Sequence, residues 1–510
     1  MQHLYRSAAV VTVFAVFEHF LGFLYRIILS RLLGPEGLGV YQVALTVFAV
    51  FLTISSSGLP ITLSRVISKH RAKGSKRGEQ SATAAAILIA LMFSLPITLL
   101  LFLFRTPFSS IFSDPRCADL FYILIFGLSF TSVYSIIRGY FWGNKRFFAY
   151  SVIELIEEII KISMGVFLLL GIATGFSDVN KAAIAVLISY LCSFVIAVVY
   201  FIIKGGRLRS PKKEFLPLLK SSLPVTAMRT SSSLMNSLIS VVFPMRLMAA
   251  GFSSSVALSE YGVVYGMVMP VLMTPGSFIG SLAVVLVPTL AECYYRKETE
   301  EAGKLVEKAI GTTLLIACLL IPLFIACGEN VGIFLFNNAE SGKMLRDCAL
   351  VLLPMSITMI STSLLNSINC ERQTLFIFLL GSAAMLLCVW FLPEYLGSGA
   401  LLLGMACDFC ITAVCSLFLL RKKTGKLVSF KTLLRIACVA FPAIAVGIGC
   451  NFVFMICLNF VPATLLTILL IGLTELLLLW ACRFIDLKQI FRKIFLRLFR
   501  KKSKKARARS

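Results

Sequence analysis

The stretch Ala8–Leu33, AAVVTVFAVFEHFLGFLYRIILSRLL, decides the fold class. A helix needs about 20 apolar residues to cross a bilayer, and this run supplies them. It is too long for the apolar core of a signal peptide, and no small-residue cleavage site ends it. It also carries Glu18, His19 and Arg26. Charges inside an apolar span are costly, so they face each other or a water-filled interior. The stretch predicts a first membrane helix with polar work to do.

The rest of the chain repeats the pattern. Of 510 residues, 58% are hydrophobic and 14% charged, with a mean hydropathy of +0.92. An ordinary soluble domain has about 25% charged residues. Surface-to-volume scaling leaves a soluble chain too little interior to hide so much apolar surface. Disorder, collagen and coiled coil are excluded by the same figures. Apolar runs between polar punctuation fall at about 8–31, 40–66, 81–104, 118–142, 148–172, 181–203, 222–250, 259–290, 306–327, 344–369, 374–392, 399–420, 432–456 and 462–483. The expectation is an all-α polytopic membrane protein with fourteen transmembrane helices.

Charge placement gives the expected topology. The net charge is +25, from 49 Lys and Arg against 24 Asp and Glu. With the N-terminus in the cytoplasm, 35 of the 49 basic residues fall on the cytoplasmic side, six on the other side and eight within spans. This asymmetry predicts a cell-membrane protein with both termini cytoplasmic. A nucleic-acid binder would instead gather its charge on a soluble domain, so nucleic acid is not expected as a partner.

Every connection is short, and no loop is long enough to house a catalytic domain. Gly425-Lys426 is followed by Leu427, so no phosphate-binding loop forms, and no HExxH or nucleophile elbow occurs. No enzyme activity, metal or cofactor is expected. The 15 cysteines are scattered through apolar runs, against a disulfide framework. Cys407 and Cys410 form a CxxC inside a span, read as small apolar filler. In the tail, Leu487, Ile490, Phe491, Ile494, Phe495, Leu498 and Phe499 alternate with basic residues. They predict an interfacial amphipathic helix drawn to anionic lipid.

An internal repeat divides the chain. Glu36-Gly37-Leu38-Gly39-Val40-Tyr41 opens the second span and Glu260-Tyr261-Gly262-Val263-Val264-Tyr265 the eighth, each with Glu five residues before Tyr. Both spans later meet a proline, Pro60 and Pro288. Two six-helix lobes plus two further helices is the parse. The boundaries are 1–204 for the first lobe, 205–221 for a basic linker and 222–422 for the second lobe. Residues 423–484 hold helices thirteen and fourteen, and 485–510 the basic tail.

The run Ser30–Tyr41 resembles the first outer loop of the polysaccharide biosynthesis flippases, and more narrowly the stage V sporulation protein B group. Ser57-Gly58-Leu59-Pro60-Ile61, Arg138-Gly139-Tyr140-Phe141-Trp142-Gly143-Asn144, Glu154 to Lys161, and Pro275-Gly276-Ser277 with Leu286-Val287-Pro288 carry the resemblance further. That group is similar to the lipid II flippases of the multidrug/oligosaccharidyl-lipid/polysaccharide exporter superfamily. The resemblance implies two lobes around a central cavity, alternating access, and a polyprenyl-tail groove at 432–483. It implies an undecaprenyl-pyrophosphate-linked saccharide as cargo, with peptidoglycan precursor or another envelope glycan as its identity. Membrane lipids, a coupling ion (H+ or Na+) and a monomeric state complete the expected partners.

Pyrophosphate calls for cations, and arginine's planar fork pairs phosphate oxygens two at a time. Arg26 is therefore expected as the central headgroup ligand, supported by His19, Arg65 and Arg246. Lipid II flippases typically carry arginine where His19 aligns and another in the eighth span. The eighth span here has no basic residue, so Arg229 or Arg246 substitutes or the cargo differs. Glu18, Glu154, Glu157, Glu158 and Lys161 are expected as ion-coupling or internally paired groups, with Glu154, Glu158 and Lys161 on one helical stripe. The competing reading pairs Arg26 with a fifth-span glutamate and lets Arg65 and Arg138 snorkel to the interface. Two rival functions remain. A cation-coupled multidrug exporter would use the acidic cluster, and a non-transporting scaffold for wall synthesis would need neither charge set.

Overall fold

The computed structural model describes residues 2–171, 175–426 and 428–482. Among the described residues every regular element is a helix. The predicted tail helix from Leu487 lies outside them. The chain forms two compact units. Among the described residues, the first comprises 2–273, Leu335–Asn337 and Glu371–Thr412, and the second Thr274–Phe334, Asn338–Cys370 and 413–482.

The first unit opens with α1 (Gln2–Ser56), which is interrupted at Gly34, with φ 68° and ψ 179°. A side chain there would be strained, and Pro35 is preset to start the next helical stretch. After the turn at Ser57 and Gly58 comes α2 (Leu59–Ala72). The Ser75 side chain accepts from the Gly78 backbone N–H and so caps α3 (Lys76–Leu103). The single-turn α4 (Arg105–Ser109) leads to α5 (Pro115–Phe126), capped by Asp114. Helix α6 (Leu128–Gly143) continues α5 with a 49° bend. Next come α7 (Phe147–Gly171), α8 (Asp178–Ile203) and the long α9 (Lys212–Ala249). Helix α10 (Ser254–Tyr261) runs through π-helix at Gly262–Val268 into α11 (Met269–Leu272).

The second unit begins with α12 (Gly276–Tyr295), α13 (Thr299–Phe336), α14 (Ala339–Asp347) and α15 (Leu352–Ser367). The chain then returns to the first unit as α16 (Glu371–Phe391) and α17 (Pro393–Leu396). Helix α18 (Gly399–Thr424) passes from the first unit to the second at Thr412. The second unit ends with α19 (Phe430–Cys457) and α20 (Phe460–Ala481).

Among the described residues, twelve stretches are long and apolar enough to cross a membrane, and thirteen if the bent α5–α6 pair is one crossing. The sequence predicts fourteen, and three features account for the difference. Val13–Ala72 is one nearly continuous helical stretch. The predicted eighth span is divided at Met273–Pro275 into Ser254–Leu272 and Gly276–Tyr295. Helix α7 carries Glu154, Glu157, Glu158 and Lys161, too many charges to read as an apolar crossing.

Lipid gives helices no hydrophobic reason to associate, so close packing and hydrogen bonds must do it. The family-like motifs turn out to be packing seams. A Cβ on Gly139 would lie 2.7 Å from the Pro60 backbone, and one on Gly143 2.7 Å from Ile67, so α6 lies directly against α2. The two halves of the sequence repeat meet in the same way. A Cβ on Gly39 would fall 1.9 Å from the Leu258 carbonyl oxygen, and one on Gly262 2.0 Å from that of Pro35. Around the α2–α6 seam, Leu63, Ile67, Ile89, Phe141 and Ile153 form a buried core. The second unit has its own, built on Leu290, Val306, Ile310, Leu364 and Leu420. All 15 cysteines are free thiols, as their scatter predicts.

Candidate functional site

The polar centre of the first unit is assembled by α1, α6, α7 and α8. Residues three and four apart share a helix face, so α7 presents Glu154, Glu157, Glu158 and Lys161 together. Helix α1 packs against this face because two glycines make room. A Cβ on Gly22 would be 3.3 Å from Glu158 Oε1, and one on Gly165 2.6 Å from the Tyr25 hydroxyl. Helix α6 adds Tyr134 and Arg138, one turn apart.

Within this cluster, the Arg138 guanidinium donates to Glu154 Oε1 at 2.8 Å and lies over the Trp142 ring, 5.1 Å from its centroid. Lys161 Nζ donates to Glu158 Oε2 at 2.5 Å and lies 5.8 Å from the Tyr25 ring centroid. Glu18 feels all three α7 carboxylates and Lys161. Two acids are thus paired with two bases, while Glu18 and Glu157 have no cation of their own. Several buried atoms here have no hydrogen-bond partner among the described residues: Glu157 Oε2, Glu158 Oε1, and the Tyr25 and Tyr134 hydroxyls. Glu157 approaches Ser193 of α8, but the Ser193 hydroxyl is spent on the Tyr190 carbonyl at 3.1 Å.

Arg26 is exposed, with no hydrogen bond or ion pair among the described residues, although it senses Tyr41 and Glu158. The structure thus does not pair it with a fifth-span glutamate. Arg138 takes that pairing instead. His19, Arg65 and Arg229 are also exposed and unpaired among the described residues. Arg246 is engaged: it donates to Glu394 Oε1 and to the Trp390 carbonyl, both at 2.8 Å, and lies over the Trp390 ring. The cations of the expected set therefore differ in availability, with four free and one spoken for.

A second network has no counterpart in the sequence reading. At the Gly34 turn, Arg116 pairs with Glu36 and, at 3.0 Å, with Asp114. The Ser254 hydroxyl donates to Asp114 at 3.0 Å and the Ser255 hydroxyl to Glu36 at 2.6 Å. Burial alone would raise the Asp114 carboxyl, but hydrogen bonds from Arg116 and Ser254 outweigh it and hold it below the usual range. The visible sign was the glutamate shared by both repeat segments; its partners are remote in sequence. Tyr25 and Tyr134 were missed too, because an apolar-looking tyrosine in a span carries no signal beyond its distance from Arg26 or Arg138. Asp408 and Glu475 each keep one buried carboxylate oxygen without a partner, on α18 and α20.

The family model described as Polysaccharide biosynthesis protein matches residues 4–294. Stage V sporulation protein B of Bacillus subtilis is 24% identical over 339 residues, 64% of this chain and 65% of that protein, so the match spans just under two thirds of the relative's length. The Lipid II flippase MurJ of Bacillus subtilis is 21% identical over 483 residues, 87% of this chain and 88% of the relative. Among solved structures, a Lipid II flippase MurJ in an inward closed conformation matches with a TM-score of 0.71 at 16% identity, covering 96% of this chain and 100% of that one. An inward-facing multidrug resistance MATE family transporter of the MOP superfamily matches with a TM-score of 0.66 at 16% identity, over 80% of this chain and 94% of that one.

Proposed function

Since the chain belongs to the polysaccharide biosynthesis protein family and is a multi-pass membrane protein with the fold shared by lipid II flippases and MATE transporters, we propose that it is a flippase. Its cargo is an undecaprenyl-pyrophosphate-linked saccharide, lipid II or another envelope glycan precursor. It moves the headgroup across the cytoplasmic membrane by alternating access, driven by an ion gradient or the membrane potential. The chain makes fourteen crossings with both termini cytoplasmic, in two six-helix lobes (1–204 and 222–422) followed by two helices that shelter the lipid tail.

The observation that carries this reading is Arg26. An arginine at the centre of a membrane helix costs about 3 kcal/mol by insertion scales. One that is exposed and unpaired repays that cost only by facing water and an anion. His19, Arg65 and Arg229 extend the same service, and Arg246 holds α9 to Glu394 rather than joining them. The sequence carries no phosphate-binding loop, and this reading has energy enter through ions, with Glu18, Glu154, Glu157, Glu158 and Lys161 as the coupling group. The same acidic cluster favours one rival, a cation-coupled drug exporter.

Rescue of a bacterium depleted of its own lipid II flippase tests the reading, with wild type and Arg26→Ala expressed at matched levels. The expected result is growth with wild type only. Growth with both would remove Arg26 from the mechanism. Failure of both despite correct insertion would move the cargo to another lipid-linked glycan. Cationic-drug efflux that persists in Arg26→Ala would favour the exporter.

A further inference from the structure

The acidic residues of α7 stand at a meeting of three helices. Four carboxylates gather there: Glu18 from α1, and Glu154, Glu157 and Glu158 from α7. Two fixed cations answer them, Arg138 at 2.8 Å from Glu154 and Lys161 at 2.5 Å from Glu158. Ionised throughout, the group carries an excess negative charge, borne by Glu18 and Glu157.

Hydrogen-bonding atoms are left over in the same place. Glu157 Oε2 and Glu158 Oε1 are buried without a donor, and Arg138 Nε without an acceptor, among the described residues. The Ser193 hydroxyl, on α8, donates to the Tyr190 backbone carbonyl. Two tyrosines flank the group. Tyr134, one turn before Arg138 on α6, is only 6% exposed, and its hydroxyl has no hydrogen-bond partner among the described residues. Tyr25 is 3% exposed, its hydroxyl likewise without a partner, and Lys161 Nζ lies 5.8 Å from its ring centroid. Leaving such groups unsatisfied costs about 1–3 kcal/mol each, and more for an ionised carboxylate. Unpartnered carboxylate oxygens and hydroxyls thus lie together beside an excess negative charge.

The spacing of these groups suits a proton better than a metal ion. Hard cations need several oxygens converging at about 2.0–2.6 Å. No three carboxylates of this cluster bring their ligand atoms within 4.8 Å of one another; among the described residues that convergence occurs at Cys293, Glu298 and Glu301 of the second unit. The nearby Arg138 guanidinium and Lys161 ammonium repel a second cation, whereas a proton on a carboxylate only removes a charge. It also converts an acceptor without a donor into a hydroxyl that can share a hydrogen bond with Tyr134.

We propose that the α1–α6–α7 cluster binds a proton, with Glu157 as its main acceptor and Tyr134 as the residue that positions it. This deepens the ion-coupled flippase reading and rests on it for its use in transport. The charged and titratable groups facing Glu157 are Glu18 of α1, Tyr134 and Arg138 of α6, Glu154 and Lys161 of α7, and Tyr190 of α8.

The test is infrared difference spectroscopy on the purified full chain in lipid nanodiscs. One arm lowers the pH at constant Na+; the other raises Na+ at constant pH. The expected result is a protonated-carboxyl band that grows as pH falls, ignores Na+ and disappears in Glu157→Gln. Tyr134→Phe should keep the band but move its midpoint by about one pH unit, a tenfold change in proton affinity. A shape-preserving phenylalanine with no effect on the midpoint would remove Tyr134 from the site. A Glu157-dependent response to Na+ and not to pH would overturn the proton in favour of a metal cation. Silence in both arms would make the cluster an internal charge network. None of these results touches the depletion rescue, so the flippase reading stands or falls separately.

Discussion

At the scale of single residues, the polar groups of the first unit divide into those that are consumed by structure and those that are free. Arg138 and Glu154 are consumed. Both are largely buried, with 31% and 16% of the side chain exposed, and removing one partner leaves the other charged and uncompensated. Arg138→Ala should therefore lower stability by about 3 kcal/mol. The Arg138→Ala/Glu154→Ala double variant should recover much of the loss, as read by thermal unfolding in detergent; a double variant worse than both singles would show that the pair does not act as a unit. Asp114 is consumed in another way. Its carboxyl titrates below the usual range, so its ionised form contributes stability above the ordinary value of about 3.9, and that contribution is lost as pH falls through the lowered value. The melting difference between wild type and Asp114→Asn should stay level from about pH 8 to 5 and shrink below about pH 4. A difference that peaks in acid would contradict the assigned hydrogen bonds. Arg26 was visible in the sequence because an arginine in an apolar run always stands out. Which glutamate it avoids was not visible, since helix periodicity gives faces and not neighbours.

At the scale of elements, glycine-rich motifs act as seams between helices. Gly39 and Gly262 belong to the two repeat segments, one position out of register with each other, and the structure presses these segments together with no room for a side chain. Backbone-to-backbone approach of this kind relies on dispersion and weak hydrogen bonds, which fall off within an ångström. Gly39→Val should force α1 and α10 apart, breaking the Ser255–Glu36 and Ser254–Asp114 bonds with them. The expected outcome is a clear loss of folded protein in size-exclusion profiles, while Gly280→Ala, where a Cβ meets nothing within 4 Å, should behave as wild type. Equal tolerance at the two sites would mean the seam opens freely. The π-helix at Gly262–Val268 begins at the seam itself. Such segments carry poorer hydrogen-bond geometry than α-helix and mark places where a helix changes course. No hydrophobic pattern could have announced it, because the same residues also satisfy an α-helical reading.

At the scale of the whole molecule, the sequence predicts the helical class and the alternation of charged and apolar segments, and these follow from composition and period alone. The count of crossings is less legible. Gly34 turns the chain without interrupting its apolar character, α7 is a helix whose charges disguise it, and the Met273–Pro275 break splits a run that reads as one. The proposed orientation has a direct check. In a cysteine-free background, Lys145→Cys should be shielded from a membrane-impermeant thiol reagent applied to intact cells, and Ser253→Cys should be labelled. Both labelled, or the reverse pattern, would overturn the assignment of sides.

The sequence by itself determined that this chain lives in a membrane, that it is helical, and that the ionisable residues within its apolar spans concentrate in the first half. These follow from the solvent's demand that apolar runs span the bilayer and charges avoid it. Only the tertiary structure decided which charges are spent on one another. It paired Arg138 with Glu154, gave Arg246 to Glu394, left Arg26 open and left the Tyr25 and Tyr134 hydroxyls without partners among the described residues. The reason is physical: pairing depends on distances of a few ångströms between different helices, and helix periodicity in the sequence fixes faces but not those distances.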